Sequence, residues 1–399
     1  MIDRLILKEM CAAAAPFSPR QGGSLPILST FRITAEPDKI TLRATDIDTA
    51  FEISALVNPQ ITPDNFDLCI EASKLRGIVE KLWGDEIEIV QSGDGHVVIL
   101  DGTGARFEFP VMSVDDFPDV FGRPETEADD KVPLTKFTLT GKAVYSLFAG
   151  VLPVVPTKDP RKVLMGVLLT GKDDVASRVG MDTKRYEYVS AMATDGKSLL
   201  CRFAPCAGAN QLPDMIIPRA VAQQIVALAE NGGDINFTLC RNGRRLIVES
   251  ASKEFSVRIF ASLIEGQYPN VDMIIPKPSA VMSFDLPTLQ TAIGQAEVAT
   301  DERTSSVSVS ISPDKEEQGE LSVSAASNYE GLYDGKFPIT AQGEKVAAVF
   351  HCKFLQRILN TLPAQSVTWK FHSAHLPHVF TCDGVEGFAL LMPIRQNQE

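Results

Sequence analysis

At three places in the chain, a run of alternating apolar and polar residues ends in a similar motif of three or four residues, the turn phrase. Each copy closes an alternation typical of a half-buried strand, and an Asp or Asn follows where the strand is expected to turn. The copies are Ala44-Thr45-Asp46, Ala193-Thr194-Asp195-Gly196 and Ala326-Ser327-Asn328. Asp and Asn suit such turns because their side chains accept hydrogen bonds from nearby amides and tolerate left-handed backbone. Three copies in similar settings predict an internal repeat.

A helical pattern keeps step with this phrase. Apolar residues recur at i, i+3, i+4 and i+7, one face of a helix, in three places, one of which has a polar member. The positions are Leu75, Ile78, Val79 and Leu82; Val221, Gln224, Ile225 and Leu228; and Leu355, Ile358, Leu359 and Leu362. They are 146 (221 − 75) and 134 (355 − 221) residues apart, and the turn phrases are 149 (194 − 45) and 133 (327 − 194) apart. An alternating strand follows each helix, at Ile87/Ile89, Ile235/Phe237/Leu239 and Val367/Trp369/Phe371. Two independent patterns with similar spacing predict three copies of one α+β unit.

Two stretches of polar or proline-rich sequence separate the predicted units. The first is acidic and covers residues 123–130, and the second is Ile275-Pro276-Lys277-Pro278-Ser279. We therefore predict domains over residues 1–128, 129–277 and 278–399. Further elements predicted within them are helices over 5–15, 142–152 and 289–297, and strands over 28–33, 163–170 and 307–311.

Length and composition point to a soluble protein of several domains. A chain of 399 residues is too long for one ordinary core, whereas about 130 residues per unit is a normal domain size. Seven cysteines, an odd number at scattered spacings, argue for a reducing compartment. Charged residues interrupt the N-terminus, so no signal peptide is expected. The longest uncharged apolar run, residues 143–157, contains two prolines and is too short to span a bilayer. We expect a cytoplasmic protein with no membrane contact.

The charge of the repeated helix differs from that of the chain. The formal net charge of −13 argues against a broad basic surface that grips nucleic acid. Yet the helix is neutral to basic in all three copies: it carries Lys74, Arg76 and Lys81 in the first, Arg219 in the second, and Lys353 and Arg357 in the third. One interpretation is that these are ordinary solvated faces. The other is that the helices line a surface facing a polyanion.

Candidate catalytic and metal-binding groups do not form a known motif. His372, His375, His378 and Cys382 resemble metal ligands, but their spacing fits no zinc motif, and a strand would place 375 opposite the other two histidines. The Asp-bearing turns could hold a metal, but we expect structural turns, since they lie in separate units and the third copy has Asn. No Gly-rich phosphate loop or Ser-His-Asp arrangement is present. We therefore expect a binding or scaffolding protein rather than an enzyme, with no catalytic residue, metal or cofactor.

A series of short motifs, in order along the whole chain, resembles the bacterial sliding clamp, the β subunit of DNA polymerase III. The motifs are Leu25-Pro26-Ile27-Leu28, Ala44-Thr45-Asp46, Ala193-Thr194-Asp195-Gly196, Ile217-Pro218-Arg219, Leu263-Ile264-Glu265-Gly266-Gln267-Tyr268-Pro269, Ile275-Pro276-Lys277 and Leu391-Met392-Pro393-Ile394-Arg395. The resemblance implies an α+β protein of three repeated clamp domains. It also implies a head-to-tail dimeric ring with helices inside and antiparallel sheets outside. Ring closure would pair an edge strand of the first domain with one of the third.

The resemblance implies two sets of site residues. The DNA-facing set comprises Arg20, Lys74, Arg76, Lys81, Lys158, Arg161, Arg219, Lys353 and Arg357. The second set forms a pocket for partner peptides between the second and third domains. It comprises Leu164, Thr194, Gly196, Leu199, Pro269, Ile274, Leu390, Met392, Pro393, Ile394 and Arg395, with Lys197, Ser198, Met273 and Pro377 on the rim. An apolar cleft with a few polar donors suits a short linear peptide.

The implied function is that of a processivity factor. Such a ring encircles duplex DNA without reading sequence. It tethers the replicative polymerase α subunit, the clamp loader and other proteins that carry clamp-binding motifs. Lys197-Ser198 departs from the bulkier basic pair usual in the family, Met273 from a basic residue, and His375-Leu376-Pro377-His378 from the usual pocket edge; residues 396–399 extend past the usual end. Two other classes stay open: an enzyme that uses the Asp-bearing turns or the histidines, and a repeat-built scaffold that never encircles DNA.

Overall fold

The computed structural model describes residues 1–19, 25–57, 65–92, 95–121, 135–172, 175, 187–240, 243–276, 279–300, 305–314, 318–327 and 331–394. In these residues the principal helices are α1 (Arg4–Ala14), α2 (Ala72–Lys81), α3 (Gly141–Ala149), α4 (Arg219–Glu230), α5 (Leu286–Glu297) and α6 (Cys352–Leu359). The strands before α4 are β1 (Ile2–Asp3), β2 (Thr30–Glu36), β3 (Lys39–Thr45), β4 (Thr49–Leu56), β5 (Phe66–Glu71), β6 (Glu86–Ser92), β7 (His96–Asp101), β8 (Arg106–Pro110), β9 (Thr135–Thr140), β10 (Gly166–Thr170), β11 (Tyr188–Thr194), β12 (Ser198–Pro205) and β13 (Met215–Pro218). The strands after it are β14 (Asp234–Leu239), β15 (Arg245–Ala251), β16 (Phe255–Ser262), β17 (Ala280–Asp285), β18 (Ser306–Pro313), β19 (Gln318–Ser327), β20 (Gly331–Gly343), β21 (Val346–His351), β22 (Ser366–Phe371), β23 (His378–Cys382) and β24 (Gly387–Leu391).

The order of elements repeats three times. In each repeat a strand, a helix, four strands, a second helix and three strands follow one another, and these are β1 to β8, β9 to β16 and β17 to β24 with their helices. The turn phrase ends β3 and β11, and the repeated helical pattern forms α2, α4 and α6. The predicted threefold repeat is therefore confirmed. Residues 122–134 and 277–278, where the predicted domain limits fall, lie outside the described residues, and those limits stay predictions.

Several predicted elements differ at their ends from the observed ones, and three of them meet a 3-10 turn there. Pro26–Ser29 and Lys162–Met165 form 3-10 turns, so that β2 and β10 begin later than the apolar pattern suggests. Helix α3 ends before the 3-10 turn Leu152–Val154. Pro26 and Pro153 lie at the start of two of these turns, where a fixed φ and a missing N–H oppose a strand or a longer helix.

The chain divides into two compact units. One comprises residues 1–141 and 227–263, and the other comprises residues 142–226 and 264–399. The first unit contains a four-stranded sheet in the order β1-β6-β7-β8 and an eight-stranded sheet in the order β5-β2-β3-β4-β16-β15-β14-β9. The second unit contains a twelve-stranded sheet in the order β13-β10-β11-β12-β24-β23-β22-β17-β20-β19-β18-β21. The second repeat therefore contributes strands to both units.

Paired helices cover the sheets in the first and third repeats. Helix α1 packs on α2 in the first unit, and α5 packs on α6 in the second. Asp3 begins α1 by accepting the N–H of Leu5 at 2.7 Å, and Asp285 begins α5 by accepting the N–H of Thr288 at 3.0 Å. Each such cap stabilises a helix by about 1 kcal/mol. The buried stripes of α2 and α6 contain the apolar residues that the periodicity predicts.

An aromatic cluster forms part of the core of the second unit. Trp369 is fully buried, with its ring centroid 5.1 Å from Phe380 and 5.7 Å from Phe350. Its indole N–H donates to Nδ1 of His378 at 2.8 Å, and His378 is also fully buried. The placement of His372, His375 and His378 in one strand, considered from the sequence, is wrong. Residues 372–377 connect β22 to β23, and only His378 lies in a strand, at the start of β23. His378 is thus a core residue whose Nδ1 accepts the indole N–H of Trp369.

Acid should destabilise the second unit through His378. Burial lowers the pKa of His378 to about 4, whereas a histidine in an unfolded chain titrates near about 6.5. As pH falls the unfolded chain binds this proton first, so the stabilisation is complete above the unfolded pKa and is lost towards the folded one. We expect a loss of about 2 kcal/mol between pH 7.5 and 5.0 from this group.

Urea unfolding at these two pH values checks the prediction. His378→Gln serves as the control, because its amide oxygen can accept the Trp369 N–H but does not titrate. The wild-type chain should lose more stability on acidification than the variant. Equal losses in the two proteins would contradict the assignment to His378.

Candidate functional site

The turn between β11 and β12 is fixed by its own side chains. Asp195 Oδ1 accepts the backbone N–H groups of Lys197 at 2.9 Å and Ser198 at 2.7 Å. Thr194 Oγ1 donates to the carbonyl of Ser198 at 2.7 Å and accepts the N–H of Gly196 at 3.0 Å. Gly196 has a φ of +86°, a left-handed conformation that glycine adopts without strain. These bonds hold the predicted rim residues Lys197 and Ser198 in one conformation.

The corresponding turn of the first repeat is built in the same way. Asp46 Oδ1 accepts the N–H of Thr49 at 2.7 Å, and Thr45 Oγ1 donates to the carbonyl of the same residue at 2.7 Å. Both aspartates therefore act as structural turn residues, as the sequence predicts. Asn328, the third member of the series, lies outside the described residues.

Asp195 is held in its ionised form. Burial raises the pKa of its carboxyl group, but the backbone N–H groups of Ser198 and Lys197 and the guanidinium of Arg357 outweigh that effect and lower the pKa. Charged donors and several amides around one carboxylate are a strong combination. The turn accordingly carries a negative charge at neutral pH, which Arg357 compensates.

The floor of the predicted pocket is a packed apolar cluster. Leu164, Leu199 and Leu390 are buried in one core cluster with Tyr268 and Val271. Leu199 lies opposite Leu390, where β12 pairs with β24. The hydroxyl oxygen of Tyr268 accepts the N–H of residue 194 at 3.1 Å, which ties the floor to the turn. The site prediction omits Tyr268, although the residue belongs to the motif that carries the resemblance.

Exposed apolar side chains surround this floor. Met273, Ile274 and Met392 are 84%, 41% and 37% exposed. Val271, two residues before Met273 in the same 3-10 turn, is buried in the floor cluster and anchors that turn. Flexible methionines can repack around different apolar ligands. The arrangement suits a ligand that covers the exposed methionines, which the buried leucines support from beneath.

The C-terminal segment is tied to two elements of the same unit. The N–H of Met392 donates to the carbonyl of Lys197 at 2.9 Å, and the N–H of Ile394 donates to the carbonyl of Val349 at 2.7 Å. The turn at Asp195 and the end of the chain therefore come together, as predicted. Pro377 is buried rather than exposed on the rim, and Pro393 is buried as well. Arg395 lies outside the described residues.

A groove of about 340 Å³ adjoins the end of this segment. It shares Ile394 with the predicted pocket, and His375 also contributes to its wall. Four serines of β18 and β19 also line it, at Ser308, Ser310, Ser322 and Ser324. The groove extends the surface beside the pocket on the side of β21.

Helix α6 adds an aromatic ring with cations around it. The ring centroid of Phe354 lies 5.1 Å from Nζ of Lys197 and 5.0 Å from the guanidinium carbon of Arg357. The ring of His351 stacks on it, with centroids 4.2 Å apart. Burial and the charges of Lys197, Lys353 and Arg357 lower the pKa of His351, which favours its neutral form. The site prediction misses Phe354 and His351. Phe354 could have been identified from the sequence, because it is an aromatic residue that lies outside the apolar stripe of the helix.

The predicted DNA-facing cations of the first unit are exposed on α2. Lys74 pairs with Glu71 at 3.0 Å, and Arg76 lies 3.8 Å from Glu80. Lys81 is exposed in the last turn of the helix. Exposed pairs of this kind contribute little to stability, so these cations remain accessible to an external anion.

The predicted cations of the second unit fall into two groups. Lys158 and Lys353 are exposed. Arg161 forms an ion pair with Asp159 at 3.0 Å and lies against the turn, where a Cβ atom on Gly196 would be 3.2 Å from its guanidinium. Arg161 therefore lies beside the pocket turn.

Two further arginines are engaged within the protein. Arg219 donates to the carbonyl oxygens of Leu152, at 3.1 Å, and Val155. Arg357 donates to Asp195 and to Ser198. These two guanidinium groups are thus not free cations on a helix surface. Arg20, the remaining member of the predicted set, lies outside the described residues.

Within the described ranges, no cluster of His, Cys, Asp and Glu has the makings of a metal site. In the same part of the chain, no helix is long and apolar enough to cross a membrane. Six of the seven cysteines are buried, and Cys382 is half-buried.

The chain is similar in sequence to bacterial sliding clamps along nearly its whole length. Residues 3–121 match the family described as DNA polymerase III beta subunit, N-terminal domain. The beta sliding clamp of Chlamydia pneumoniae is 23% identical over 380 residues, which cover 95% of this chain and 94% of that protein. That of Caulobacter vibrioides (strain NA1000 / CB15N) is 22% identical over 376 residues, 93% of each chain.

Solved structures extend the likeness to the fold. The sliding clamp (DNA polymerase III subunit beta) of Bartonella birtlesii bound to griselimycin has a TM-score of 0.83 at 22% identity, covering 99% of this chain and 98% of that one. The griselimycin-bound clamp of Pseudomonas aeruginosa also has a TM-score of 0.83, at 18% identity and the same coverage. Sequence and fold together confirm the resemblance and the predicted α+β class.

Proposed function

We propose that this chain, a member of the bacterial sliding clamp family, forms a head-to-tail homodimeric ring that encircles duplex DNA and slides along it. The ring tethers the replicative DNA polymerase and other replication and repair proteins through the pocket described above. In this proposal three domains of each chain, with limits near residues 128 and 277, make a six-domain ring. The helices line the hole and the sheets form the outer wall.

The way in which strands join successive repeats carries this proposal. Strand β4 of the first repeat pairs with β16 of the second, and β12 of the second pairs with β24 of the third. In both junctions the fourth strand of one repeat joins the last strand of the next. Two strands are left over by this rule, β20 of the third repeat and β8 of the first. A ring closes if β20 of one chain pairs with β8 of a second copy.

The two remaining edges have the exposure of unpaired strands. Strand β8 pairs with β7 alone, and residues 331–340 of β20 pair with β19 alone, within the described part of the chain. Three of the four strands in the existing junctions, β4, β12 and β24, are buried almost throughout, and β16 is buried at half of its positions. By contrast, β8 and β20 are exposed along much of their length. Exposed edges invite pairing with another chain.

The register of the existing junctions specifies the contact that closes the ring. Phe51 pairs with Ile259 in the first junction, and Leu200 pairs with Ala389 in the second. The alanine of the turn phrase lies opposite Phe51, Leu200 and, in the third repeat, Leu332. The last three strands of each repeat pair with one another in the same register. This register makes Phe107 of β8 equivalent to Ile259 of β16 and Ala389 of β24. Leu332 of one chain should therefore meet Phe107 of the other.

Encirclement explains how an acidic chain can stay on DNA. A closed ring is linked to the duplex by topology, so its contacts can be few, weak and independent of sequence. The exposed lysines 74, 81, 158 and 353 suit this role. The two arginines at 219 and 357, with their internal partners, suit it less.

The pocket on the second unit is proposed to take a short peptide of the polymerase α subunit, the clamp loader or another partner. Its leucine floor and exposed methionines match an apolar linear peptide, and the backbone groups of the turn fix its orientation. We propose that griselimycin binds the same pocket. The chain has no catalytic site in this proposal and acts in the cytoplasm, where the chromosome lies. The Asp-bearing turns, the alternative active site, use their carboxylates on their own backbone.

Retention on plasmids of different topology tests the proposal. Loaded on a nicked circular plasmid by a clamp loader, the protein should stay bound through gel filtration. Cutting the plasmid once should release nearly all of it, because a ring slides off a free end. Equal retention on both forms would exclude encirclement, and no retention on either would favour a scaffold that never surrounds DNA.

A further inference from the structure

Arg357 joins two repeats that are distant in sequence. It lies on α6 of the third repeat, yet its guanidinium donates to Asp195 Oδ2 and, at 2.7 Å, to Ser198 Oγ in the turn of the second repeat. The side chains are 29% and 15% exposed at Arg357 and Asp195. Hydrogen bonds between charged groups that are partly shielded from water are stronger than those on an open surface.

The turn itself does not need this arginine. The Asp46 turn of the first repeat has the same pattern of side-chain and backbone hydrogen bonds, and Asp46 has no ion pair within the described ranges. The helix positions that correspond to Arg357, counted from the shared apolar pattern, are Gly77 and Gln223. Of the three equivalent positions, only that of the third repeat carries a cation. Its helix α6 faces the turn of the second repeat, and the cation connects that turn to α6.

Two of the connected elements, the turn and the C-terminal segment, carry predicted pocket residues, and the third, α6, places Phe354 beside them. The turn supplies Lys197, whose carbonyl accepts the N–H of Met392 in the C-terminal segment. Helix α6 supplies Phe354, whose ring lies about equally close to the cations of Lys197 and Arg357. One guanidinium thus touches the turn and the aromatic ring, and acts on the C-terminal segment through the turn.

We propose that Arg357 is a positioning residue of the partner-peptide pocket rather than a contact to DNA. By holding the Asp195 turn against α6, it fixes the spacing between the turn, Phe354 and Met392. The inference rests on the proposed pocket and replaces the DNA-facing role expected for this arginine. It also accounts for Ser198, whose small hydroxyl leaves room for the guanidinium.

Griselimycin binding to the full-length protein, measured by titration calorimetry and by dissociation rate, tests the proposal. Arg357→Met should weaken binding about 10- to 100-fold, mainly through faster dissociation, because the charge on Asp195 is left unpaired. Arg357→Lys should recover part of the affinity, since it keeps the charge. Asp195→Asn combined with Arg357→Met should cost no more than the larger single loss, because both changes remove one interaction. Lys345→Met, an exposed lysine of the same unit, is the matched surface control and should bind like the wild type.

Retention on nicked circular plasmid separates the two roles of Arg357. Because the clamp loader is proposed to use the same pocket, retention is compared per loaded ring. The fraction of loaded Arg357→Met protein that stays bound should equal that of the wild type if the residue positions the pocket. Unchanged griselimycin affinity in Arg357→Met, additive losses in the double variant, or a loss of DNA retention with normal griselimycin binding would each overturn the inference. Failure of the wild type to bind griselimycin would instead refute the proposed pocket, and the inference with it.

Discussion

Phe107→Asp should turn the protein into a monomer of 43.4 kDa that no longer stays on nicked circular DNA. Phe107 is 37% exposed on β8, and its proposed partner Leu332 is 76% exposed on β20. In a closed ring each apolar side chain would be covered by the other, as Phe51 and Ile259 are in the existing junction. An aspartate at this position would be buried without a partner, at a cost of several kcal/mol for each of the two junctions. Sedimentation or light scattering measures the mass, and the plasmid assay measures retention.

Leu56→Asp is the matched control for this change. Leu56 is 71% exposed at the end of β4, the strand of the first repeat that corresponds to β20. It lies just beyond the register that joins β4 to β16, so the variant should keep the mass and retention of the wild type. Phe107→Lys combined with Leu332→Glu should restore part of the dimer, because the register places the opposite charges together. A dimeric Phe107→Asp protein would contradict the proposed junction.

Truncation after Leu391 should abolish griselimycin binding, with a loss of affinity of about 100-fold or more. Leu391 completes β24, where it pairs with Ser198 and His378 and is buried. The truncation therefore spares the sheet. It removes the exposed side chain of Met392 and the two backbone hydrogen bonds by which residues 392 and 394 bind the turn and β21.

A shorter truncation, after Arg395, provides the control. It removes residues 396–399, which extend past the usual end of the family, and should leave griselimycin affinity within about twofold of the wild type. Both truncated proteins should form the dimer, because neither lacks any residue of β8 or β20. Retained affinity after the longer truncation would show that the pocket lies elsewhere.

The repeat could be read from the sequence because its signals are local. The alternation of Leu321, Val323 and Ala325 in β19 and the apolar stripe of Leu355, Ile358 and Leu359 depend on which face of an element is buried. The strand before Asp195 is instead buried along its whole length. Element ends were harder to predict. Apolar residues at 28 and 163–165 continue a strand pattern into 3-10 turns, and periodicity does not distinguish the two in so short a run.

The sequence indicated residues of the candidate pocket but not the contacts that hold them together. Motifs indicated Leu164, Leu199, Leu390 and Met392, which the structure brings onto one unit as a buried floor and an exposed rim. The contribution of Phe354 and His351 was missed, because nothing in the sequence relates α6 to the turn at Asp195. The same reason explains Arg357 and Arg161: a charge pattern shows that a helix or loop is basic, but not which cation an acid already holds.

The sequence by itself determined the threefold repeat, the type and order of most elements, the structural role of the Asp-bearing turns and the resemblance to sliding clamps. These follow from short-range patterns of burial and turn chemistry along one stretch of chain. Only the tertiary structure decided which strands join successive repeats, which edges stay open, and that Arg357 and Arg219 are bound internally. Those facts depend on contacts between residues that are far apart in the chain, such as Arg258 and Glu52, which are 206 positions apart. Such contacts exist only once the chain has folded.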